Sequence, residues 1–345
     1  MQTKVTVEAG DLDMLQKLLG TFDENLNIVA RELNVFASIE GTCIKISGEE
    51  GDVSCAQRVL EGMLRLVRAG EGVDKSRIAY CIELAREGGL EGIEEVMGNV
   101  VAFTSRGKPV KCKTLGQSKY VDAIKKNTVV FGIGPAGTGK TYLAVCLAVS
   151  AFKAKQVEKI VLTRPAVEAG EKLGFLPGDL QTKVDPYLRP LYDALFEMLG
   201  EEKFNRCLER GIIEVAPLAY MRGRTLADSW IIVDESQNAS LEQLLMVLTR
   251  LGEGSKIVVT GDITQVDLKD KASGLDTCSK ILHGIDKIGI VKLNNRDVVR
   301  HKLVKDIIKA FEKYQEQTEK TSAKTGRKKS LSRYGRQDAA FNAVK

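Results

Sequence analysis

Residues 134–141 read Gly-Pro-Ala-Gly-Thr-Gly-Lys-Thr, and this spacing of glycines, lysine and threonine can bind a triphosphate. Glycines lack Cβ atoms, so backbone N–H groups can turn inward around phosphate oxygens. Lys140 would place a mobile positive charge on the β- and γ-phosphates, and the Thr141 hydroxyl is a hard oxygen ligand for Mg²⁺. A plain glycine turn is the alternative, but the apolar run before the loop and the alanine-rich run after it favour a P-loop.

A second pair of chemical residues, Asp234 and Glu235, follows directly after the apolar run 230–233. Asp234 suits the hydrogen-bonded outer shell of a Mg²⁺ ion, and Glu235 suits orienting or deprotonating an attacking water. An acidic cap at a strand end is the alternative. Lys140 and Asp234 are far enough apart for another strand at 159–163, an arrangement that fits the RecA-like class of NTPases.

Four further positions are candidate functional residues. Gln265 follows the strand 256–260 in a Gly-Asp-x-x-Gln pattern and could read the γ-phosphate and report its loss. The other three are weaker, and a structural role is an equal alternative for each. Gln117 is placed as an adenine-reading glutamine would be, and Arg164 lies in a Thr-Arg-Pro loop that could contact nucleic acid or couple sites. The basic turn 220–224 could contact a phosphate backbone beside Tyr220.

These residues need a scaffold, and six short apolar runs alternate with helical stretches to supply one. The runs cover residues 129–133, 159–163, 212–215, 230–233, 256–260 and 288–293. Their alternation predicts an α/β domain whose parallel sheet is covered by helices on both faces. Ligands of such sheets bind beyond the carboxyl ends of the strands, where the P-loop, Asp234 and Gln265 fall. Residues 165–208 read as an insertion over those ends.

Composition excludes several classes of protein. No apolar run in the 345 residues approaches the ~20 residues of a membrane span, and residues 1–11 lack an apolar signal segment. Seven cysteines without a Cys-x-x-Cys pair, and only two histidines, argue against a disulfide framework or a zinc site and fit a reducing cytoplasm. The net charge of +5 resides in the tail 316–345, which is expected to be disordered. This tail either holds RNA or keeps the chain soluble.

The first 70 residues predict a small α/β module in the order β-α-α-β-β-α, which resembles a KH RNA-binding domain. The clamp loop of that family is Gly-x-x-Gly, whereas residues 20–23 read Gly-Thr-Phe-Asp and Glu24 follows. The second glycine is missing, and two acids face the place where phosphates would lie. RNA contact by this loop and a role in assembly both stay open. Residues 71–115 read as a helical and hairpin connector.

The combination of a P-loop, an Asp-Glu-x-Gln strand and a Gly-Asp-x-x-Gln strand resembles superfamily-1 helicase motors. The fuller sequences at 134–141, 162–179, 185–190 and 297–301 resemble the PhoH family of bacterial cytoplasmic ATPases, and the resemblance covers residues 1–315. It implies a RecA-like ATPase domain at 116–315, binding of ATP, RNA substrates and ring assembly. Some members of the family are linked to ribosomal RNA maturation together with a metal-dependent endoribonuclease, so the resemblance implies such a partner. Ser236 replaces a usual alanine, with little expected effect.

Assembly is predicted from the length of the chain. Superfamily-1 helicases close ATP between two RecA-like lobes, the second of which supplies an arginine finger. The tail beyond residue 315 is too short to form a second lobe. Either no finger is used, or a neighbouring subunit of a homo-oligomeric ring provides it. Arg296 and Arg300 are the finger candidates, with surface salt bridges as the alternative.

The sequence therefore predicts an Mg²⁺-dependent ATPase coupled to RNA remodelling or RNA processing. A nucleotide-gated protein-interaction switch with little turnover is the main alternative, and a small-molecule kinase is a further one. The predicted catalytic residues are Lys140, Asp234, Glu235, Gln265, Arg296 and Arg300. The predicted nucleotide-binding residues are Gln117, Gly134, Pro135, Ala136, Gly137, Thr138, Gly139, Lys140 and Thr141, and the predicted metal ligands are Thr141 and Asp234.

Overall fold

A computed structural model of the chain describes residues 2–86, 100–165, 180–265 and 273–299, together with residues 303, 304 and 307. The chain divides into two compact units, Met1–Val299 and Arg300–Lys345. The predicted finger residue Arg300 and the basic tail at 316–345 lie outside the described residues, as does the first part of the predicted insertion.

Three antiparallel strands and three helices form an N-terminal module in the predicted KH-like order. They are β1 (Gln2–Glu8), α1 (Leu12–Leu19), α2 (Glu24–Glu32), β2 (Phe36–Glu40), β3 (Cys43–Glu49) and α3 (Glu50–Arg68). Strand β3 is central and pairs with both other strands. Asp11 caps α1 as predicted, since its carboxylate accepts a hydrogen bond of 2.8 Å from the Met14 N–H. The apolar faces of the helices form this module's core.

Helix α4 (Lys75–Arg86) packs on α3 and is followed by a hairpin of β4 (Val100–Phe103) and β5 (Pro109–Lys111). Glu71, in the turn before α4, has a side chain only 6% exposed and pairs with Arg77 at 3.0 Å and with Lys111. Burial by itself raises the pKa of Glu71, but the hydrogen bonds and charges of Lys111 and Arg77 outweigh it and hold that pKa below its usual value. This ion-pair cluster ties α4 to the hairpin.

The main sheet has six parallel strands in the order β11-β6-β10-β9-β7-β8. They are β6 (Val129–Ile133), β7 (Lys159–Arg164), β8 (Ile213–Pro217), β9 (Ser229–Val233), β10 (Lys256–Gly261) and β11 (Ile288–Lys292). Each predicted run forms a strand, and no end is displaced by more than two residues. The predicted α/β fold with a RecA-like parallel sheet is confirmed.

Helices cover both faces of this sheet, which explains why its strands are apolar throughout. One layer contains α5 (Leu115–Lys126), α6 (Lys140–Lys153), α7 (Leu180–Leu199) and α8 (Glu201–Glu209). The other contains α9 (Leu241–Leu248) and α10 (Gly274–Ile281). Along β9, Ile232 packs into the first layer and Ile231 into the second. The polar residues lie instead at the carboxyl ends of the strands. In the part of the chain described here, no helix is both long and apolar enough to cross a bilayer.

Candidate active site

Strand β6 leads directly into the P-loop, residues 134–141, and α6 begins at Lys140. Gly137 and Gly139 have φ angles of 83° and 80°, a left-handed conformation that glycine adopts without strain. Gly134 lies against the end of β11, where an added Cβ would sit 2.6 Å from the Leu293 carbonyl oxygen. The conformation of the loop therefore depends on these glycines. The loop lies at the amino end of α6, where the positive end of the helix dipole favours anions.

Lys140 is folded back over this loop and is buried. Its Nζ donates hydrogen bonds to the carbonyl oxygens of Gly134 at 2.6 Å and Pro135 at 2.7 Å. The Thr138 hydroxyl donates to the same Pro135 carbonyl at 2.8 Å. These carbonyls hold the ammonium group within the loop, where phosphate oxygens could replace them.

Asp234 directly follows β9, and its carboxylate lies beside the end of the P-loop. Asp234 Oδ1 accepts hydrogen bonds from the hydroxyls of Thr141 and Thr260, each at 2.6 Å. Mg²⁺ prefers hard oxygen ligands such as hydroxyl and carboxylate groups. The donor atoms of Thr141 and Asp234 therefore fit an Mg²⁺ ion, and the bond from Thr260 fixes the carboxylate in place.

Glu235, the next residue, has φ 50° and ψ 38°, a conformation that costs a non-glycine residue on the order of 1–2 kcal/mol. Both of its carboxylate oxygens are engaged. Arg164 Nη2 donates to Oε1 at 2.7 Å, and Gln237 Nε2 donates to Oε2 at 2.5 Å. Arg164 Nη2 also lies 3.3 Å from Asp234 Oδ2. One arginine at the end of β7 thus contacts both carboxylates that follow β9.

Hydrogen bonds continue from Glu235 to the P-loop across the strand ends. Gln237 Oε1 accepts from the Asp262 N–H at 3.0 Å, and Asp262 Oδ2 accepts from the Ala136 N–H at 3.1 Å. We call Arg164, Glu235, Gln237, Asp262 and Ala136 the strand-end relay. Arg164 is the last residue of β7, and the other members follow β9, β10 and β6; these four strands are neighbours in that order in the sheet.

Sequence reasoning missed part of this relay. It gave no role to Gln237 or Asp262, and it gave Arg164 only a coupling or nucleic-acid role. Each of these residues lies at or just after the end of an apolar run, and this position is the feature of the sequence that could have indicated a role in the site. Which of them meet depends on the order of strands in the sheet.

Gln117 lies in the first turn of α5, against the P-loop, and is buried. Its Nε2 donates to the Thr138 carbonyl at 3.0 Å, and its Oε1 accepts from the Lys113 N–H at 2.7 Å. Adenine reading by Gln117 stays a prediction, and it would require one of these bonds to be exchanged. Through these two hydrogen bonds, Gln117 connects the P-loop to the residues just before α5.

The remaining predicted residues lie further along the chain. Gln265 is exposed in the turn after β10, where its N–H donates to the Asp262 carbonyl at 3.0 Å. Arg296 is half-buried in the short 3₁₀ turn Asn295–Asp297 that follows β11. The neighbouring Asp297 is buried and accepts from the Thr114 hydroxyl at 2.7 Å, which secures the start of α5. The catalytic roles of Gln265 and Arg296 stay predictions.

The basic turn after β8 is braced by contacts of its own. Arg224 pairs with Glu214 through two hydrogen bonds of 2.5 and 2.7 Å, and Arg250 Nη1 donates to the Arg224 carbonyl at 2.9 Å. These bonds leave Arg222 exposed and Tyr220 53% exposed. A tyrosine ring and an arginine that are both exposed in one turn offer a stacking surface and a positive charge, the groups that bind single-stranded nucleic acid.

Comparison with known proteins agrees with this geometry. The family described as PhoH-like protein matches residues 109–312. A PhoH-like protein of Bacillus subtilis (strain 168) is 50% identical over 302 residues, which cover 87% of this chain and 95% of the relative. A PhoH-like protein of Mycobacterium tuberculosis (strain ATCC 25618 / H37Rv) is 50% identical over 305 residues, 88% of this chain and 86% of the relative. Protein PhoH of Escherichia coli (strain K12) is 40% identical over 232 residues, 66% and 64% of the two chains. On this evidence the chain belongs to the PhoH family.

Proposed function

We propose that this protein binds ATP with Mg²⁺ and hydrolyses it at the carboxyl ends of β6 and β9. The observation that carries the proposal is the 2.6 Å hydrogen bond from the Thr141 hydroxyl to Asp234 Oδ1. It joins the residue that closes the P-loop to the carboxylate that follows β9. In P-loop NTPases such a pair holds the metal ion at the β- and γ-phosphates. Membership of the PhoH family supports the same activity.

Each residue has a separate task in this reaction. The P-loop amides bind phosphate oxygens, and Lys140 exchanges its two carbonyl partners for the β- and γ-phosphates. Thr141 and Asp234 would hold an Mg²⁺ ion, which would supply positive charge to the transferring phosphoryl group. Glu235 orients the attacking water and accepts its proton once its carboxylate is released from Arg164 or Gln237.

The first experiment measures steady-state ATP turnover of the wild type, of Lys140→Ala and of Lys119→Ala. Removing the Lys140 ammonium should lower kcat by about 10²–10³-fold, the loss typical of one electrostatic contact to a transition state. Lys119 is exposed on α5 and serves as the matched control, so its variant should keep wild-type turnover. Undiminished turnover by Lys140→Ala would refute the assigned site, and absence of turnover in the wild type would refute hydrolysis.

RNA is the polymer to which we propose that hydrolysis is coupled. The support is the resemblance to superfamily-1 helicases, the KH-like order of the N-terminal module, and the exposed Tyr220 and Arg222 in the turn after β8. Ring assembly with Arg296 acting in a neighbouring subunit, and an endoribonuclease partner, are proposals from the family resemblance. The seven free cysteines support a reducing, cytoplasmic location. Stimulation of ATP turnover by single-stranded RNA is the direct test.

A second candidate function is a nucleotide-gated interaction switch. It is favoured by the state of Glu235, whose two carboxylate oxygens already accept hydrogen bonds from Arg164 and Gln237. A switch needs nucleotide binding without fast turnover. If Glu235→Gln binds ATP and hydrolyses it no more slowly than the wild type, the switch is the better description.

A further inference from the structure

Arg164 competes with the proposed chemistry for both acidic residues. Its Nη2 lies 2.7 Å from Glu235 Oε1 and 3.3 Å from Asp234 Oδ2. The side chain of Arg164 is 16% exposed and that of Asp234 is 7% exposed, whereas Glu235 is 41% exposed, so the bond from Arg164 to Glu235 is only partly shielded from water. Hydrolysis needs Asp234 for the metal and Glu235 for the water. The arginine must therefore give up at least its bond to Glu235 before the reaction can proceed.

Release of Glu235 would leave Arg164 with Asp234 alone, and because that carboxylate is needed for the metal, a further anion would favour the release. A partly buried guanidinium that loses its carboxylate partner carries a desolvation penalty that water only partly relieves. The nearest surface on the far side of β7 is the end of β8, because β7 and β8 pair in parallel with Arg164 in register with Pro217. The chain turns at Leu218–Met221 and presents Tyr220 at the surface.

This turn is suited to single-stranded RNA. Arg224 is committed to Glu214, which fixes the turn, while Tyr220 and Arg222 are exposed beside it. A tyrosine ring can stack on a base of any sequence, and an arginine can meet the phosphate that follows it. Because β8 and β7 are neighbouring strands with Pro217 opposite Arg164, a further phosphate of such a strand could face the end of β7. RNA is thus a source of the anion that Arg164 needs.

We infer that Arg164 is a positioning residue that couples RNA binding to hydrolysis. Without RNA it keeps Glu235 engaged, and turnover is slow. Single-stranded RNA bound at Tyr220 and Arg222 presents a backbone phosphate to the guanidinium, and Glu235 is freed to act on water. The inference deepens the proposed ATPase function and depends on it. Because the P-loop itself is not changed, RNA should raise kcat while the KM for ATP stays nearly constant.

The test compares ATP turnover with and without poly(U) RNA in the full-length wild type, Arg164→Met and Arg164→Lys. In the wild type, RNA should raise kcat by at least about fivefold, the lower end of coupling between two sites. Arg164→Met keeps the side-chain length but removes the charge and the donors, so its basal kcat should rise and its RNA-to-basal ratio should fall close to unity. Arg164→Lys keeps the charge without the planar fork, so its ratio should be intermediate.

Arg206→Met is the matched control, because Arg206 forms an exposed pair with Glu202 on α8 and should keep the wild-type ratio. If Arg164→Met does not fold, the reduced ratio of Arg164→Lys carries the test. A wild type that hydrolyses ATP without any response to RNA would overturn the inference and leave the ATPase proposal intact. So would Arg164 variants that keep the wild-type ratio, or an Arg164→Met whose basal kcat falls. A wild type with no ATP turnover at all would overturn both.

Discussion

The strand-end relay and the turn between α1 and α2 both contain residues with left-handed backbone. Glu235 has φ 50°, and Phe22 in the turn has φ 52°. The two side chains differ completely in what they contact. Both oxygens of Glu235 accept hydrogen bonds, whereas the ring of Phe22 is 94% exposed. Backbone strain therefore does not mark a reactive residue by itself. The contacts of its side chain decide whether the strain serves a site.

The two regions also differ in their charges. The relay gathers Arg164 with the carboxylates of Glu235 and Asp262, and Arg164 also lies 3.3 Å from Asp234, a set of charges that a triphosphate and a metal ion can rearrange. The turn carries Asp23 and Glu24, and Glu24 already pairs with Lys75 on α4 at 3.0 Å. The N-terminal module thus has a KH-like order of elements without the basic clamp. We conclude that element order and binding chemistry are separable in this chain.

The largest difference between the relay and the turn is expected in kcat, when Glu235→Gln is compared with the same change in the turn. The amide keeps the size of the side chain but cannot take a proton, so kcat should fall by about 10²–10⁴-fold. ATP affinity, measured by calorimetry, should change little because the P-loop is untouched. Glu24→Gln makes the same chemical change in the turn and should leave kcat at the wild-type value. Equal losses in the two variants would abolish the distinction between the regions.

A smaller difference is expected between two exposed aromatic residues. Tyr220→Ala should weaken binding of fluorescent poly(U) RNA by roughly 5- to 100-fold, the range for loss of one stacked base. Phe22→Ala should bind as tightly as the wild type, since the two residues that follow Phe22 in the turn, Asp23 and Glu24, are acids. Fluorescence anisotropy at low salt measures both variants. If Phe22→Ala loses affinity while Tyr220→Ala does not, RNA binds the N-terminal turn and the relay is not its contact.

The fold was predictable because its elements are encoded locally. Runs such as Val129–Ile133 are apolar, rich in β-branched residues and bounded by polar turns, so each strand is visible in a short window. Asp11 likewise marks the start of α1 within one turn of chain. The P-loop is contiguous in sequence, and the acidic residues Asp234 and Glu235 directly follow an apolar strand. At these positions the pattern that predicts a strand and the residues that predict a binding site are adjacent in the sequence.

The partners of these residues could not be predicted in the same way. Arg164 meets Glu235 only because β7 lies beside β9, although β8 separates them in the chain. The bond between Asp262 and Ala136 depends in the same way on β10 lying beside β6. Gln117 was interpreted from its position upstream of the P-loop, and the contacts of its amide with Lys113 and Thr138 became visible only in three dimensions. Cross-strand order is a tertiary property that no single segment encodes.

A third prediction concerns the ion-pair cluster of Glu71, which lies between the two regions compared. Glu71→Gln should lower the free energy of unfolding by about 1–3 kcal/mol at neutral pH, because Arg77 and Lys111 lose a charged acceptor. The pKa of Glu71 is lowered in the folded state, so the carboxylate stabilises the fold above its unfolded pKa. This stabilisation is lost as pH falls through the lower folded pKa.

Urea denaturation of wild type and Glu71→Gln across this pH range provides the measurement. The difference in the free energy of unfolding between the two proteins should be largest near neutral pH and should shrink toward zero in acid. Glu61→Gln is a useful comparison, since Glu61 lies on the exposed side of α3 and accepts a hydrogen bond from Gln57. A Glu71→Gln difference that stays constant with pH would show that packing rather than charge holds this cluster.

The smallest effect is expected from Phe22→Gly. Glycine removes left-handed strain of about 1–2 kcal/mol, and the greater freedom of the unfolded chain offsets about 0.4–1 kcal/mol of that gain. Little packing is lost because the ring is 94% exposed. The free energy of unfolding from urea titration should therefore rise slightly or stay unchanged. Phe22→Asn, which tolerates this backbone region but keeps a Cβ atom, should fall between the two. A clear loss of stability in Phe22→Gly would mean that the ring makes stabilising contacts, and the turn would then resemble the relay in using strain to hold an engaged side chain.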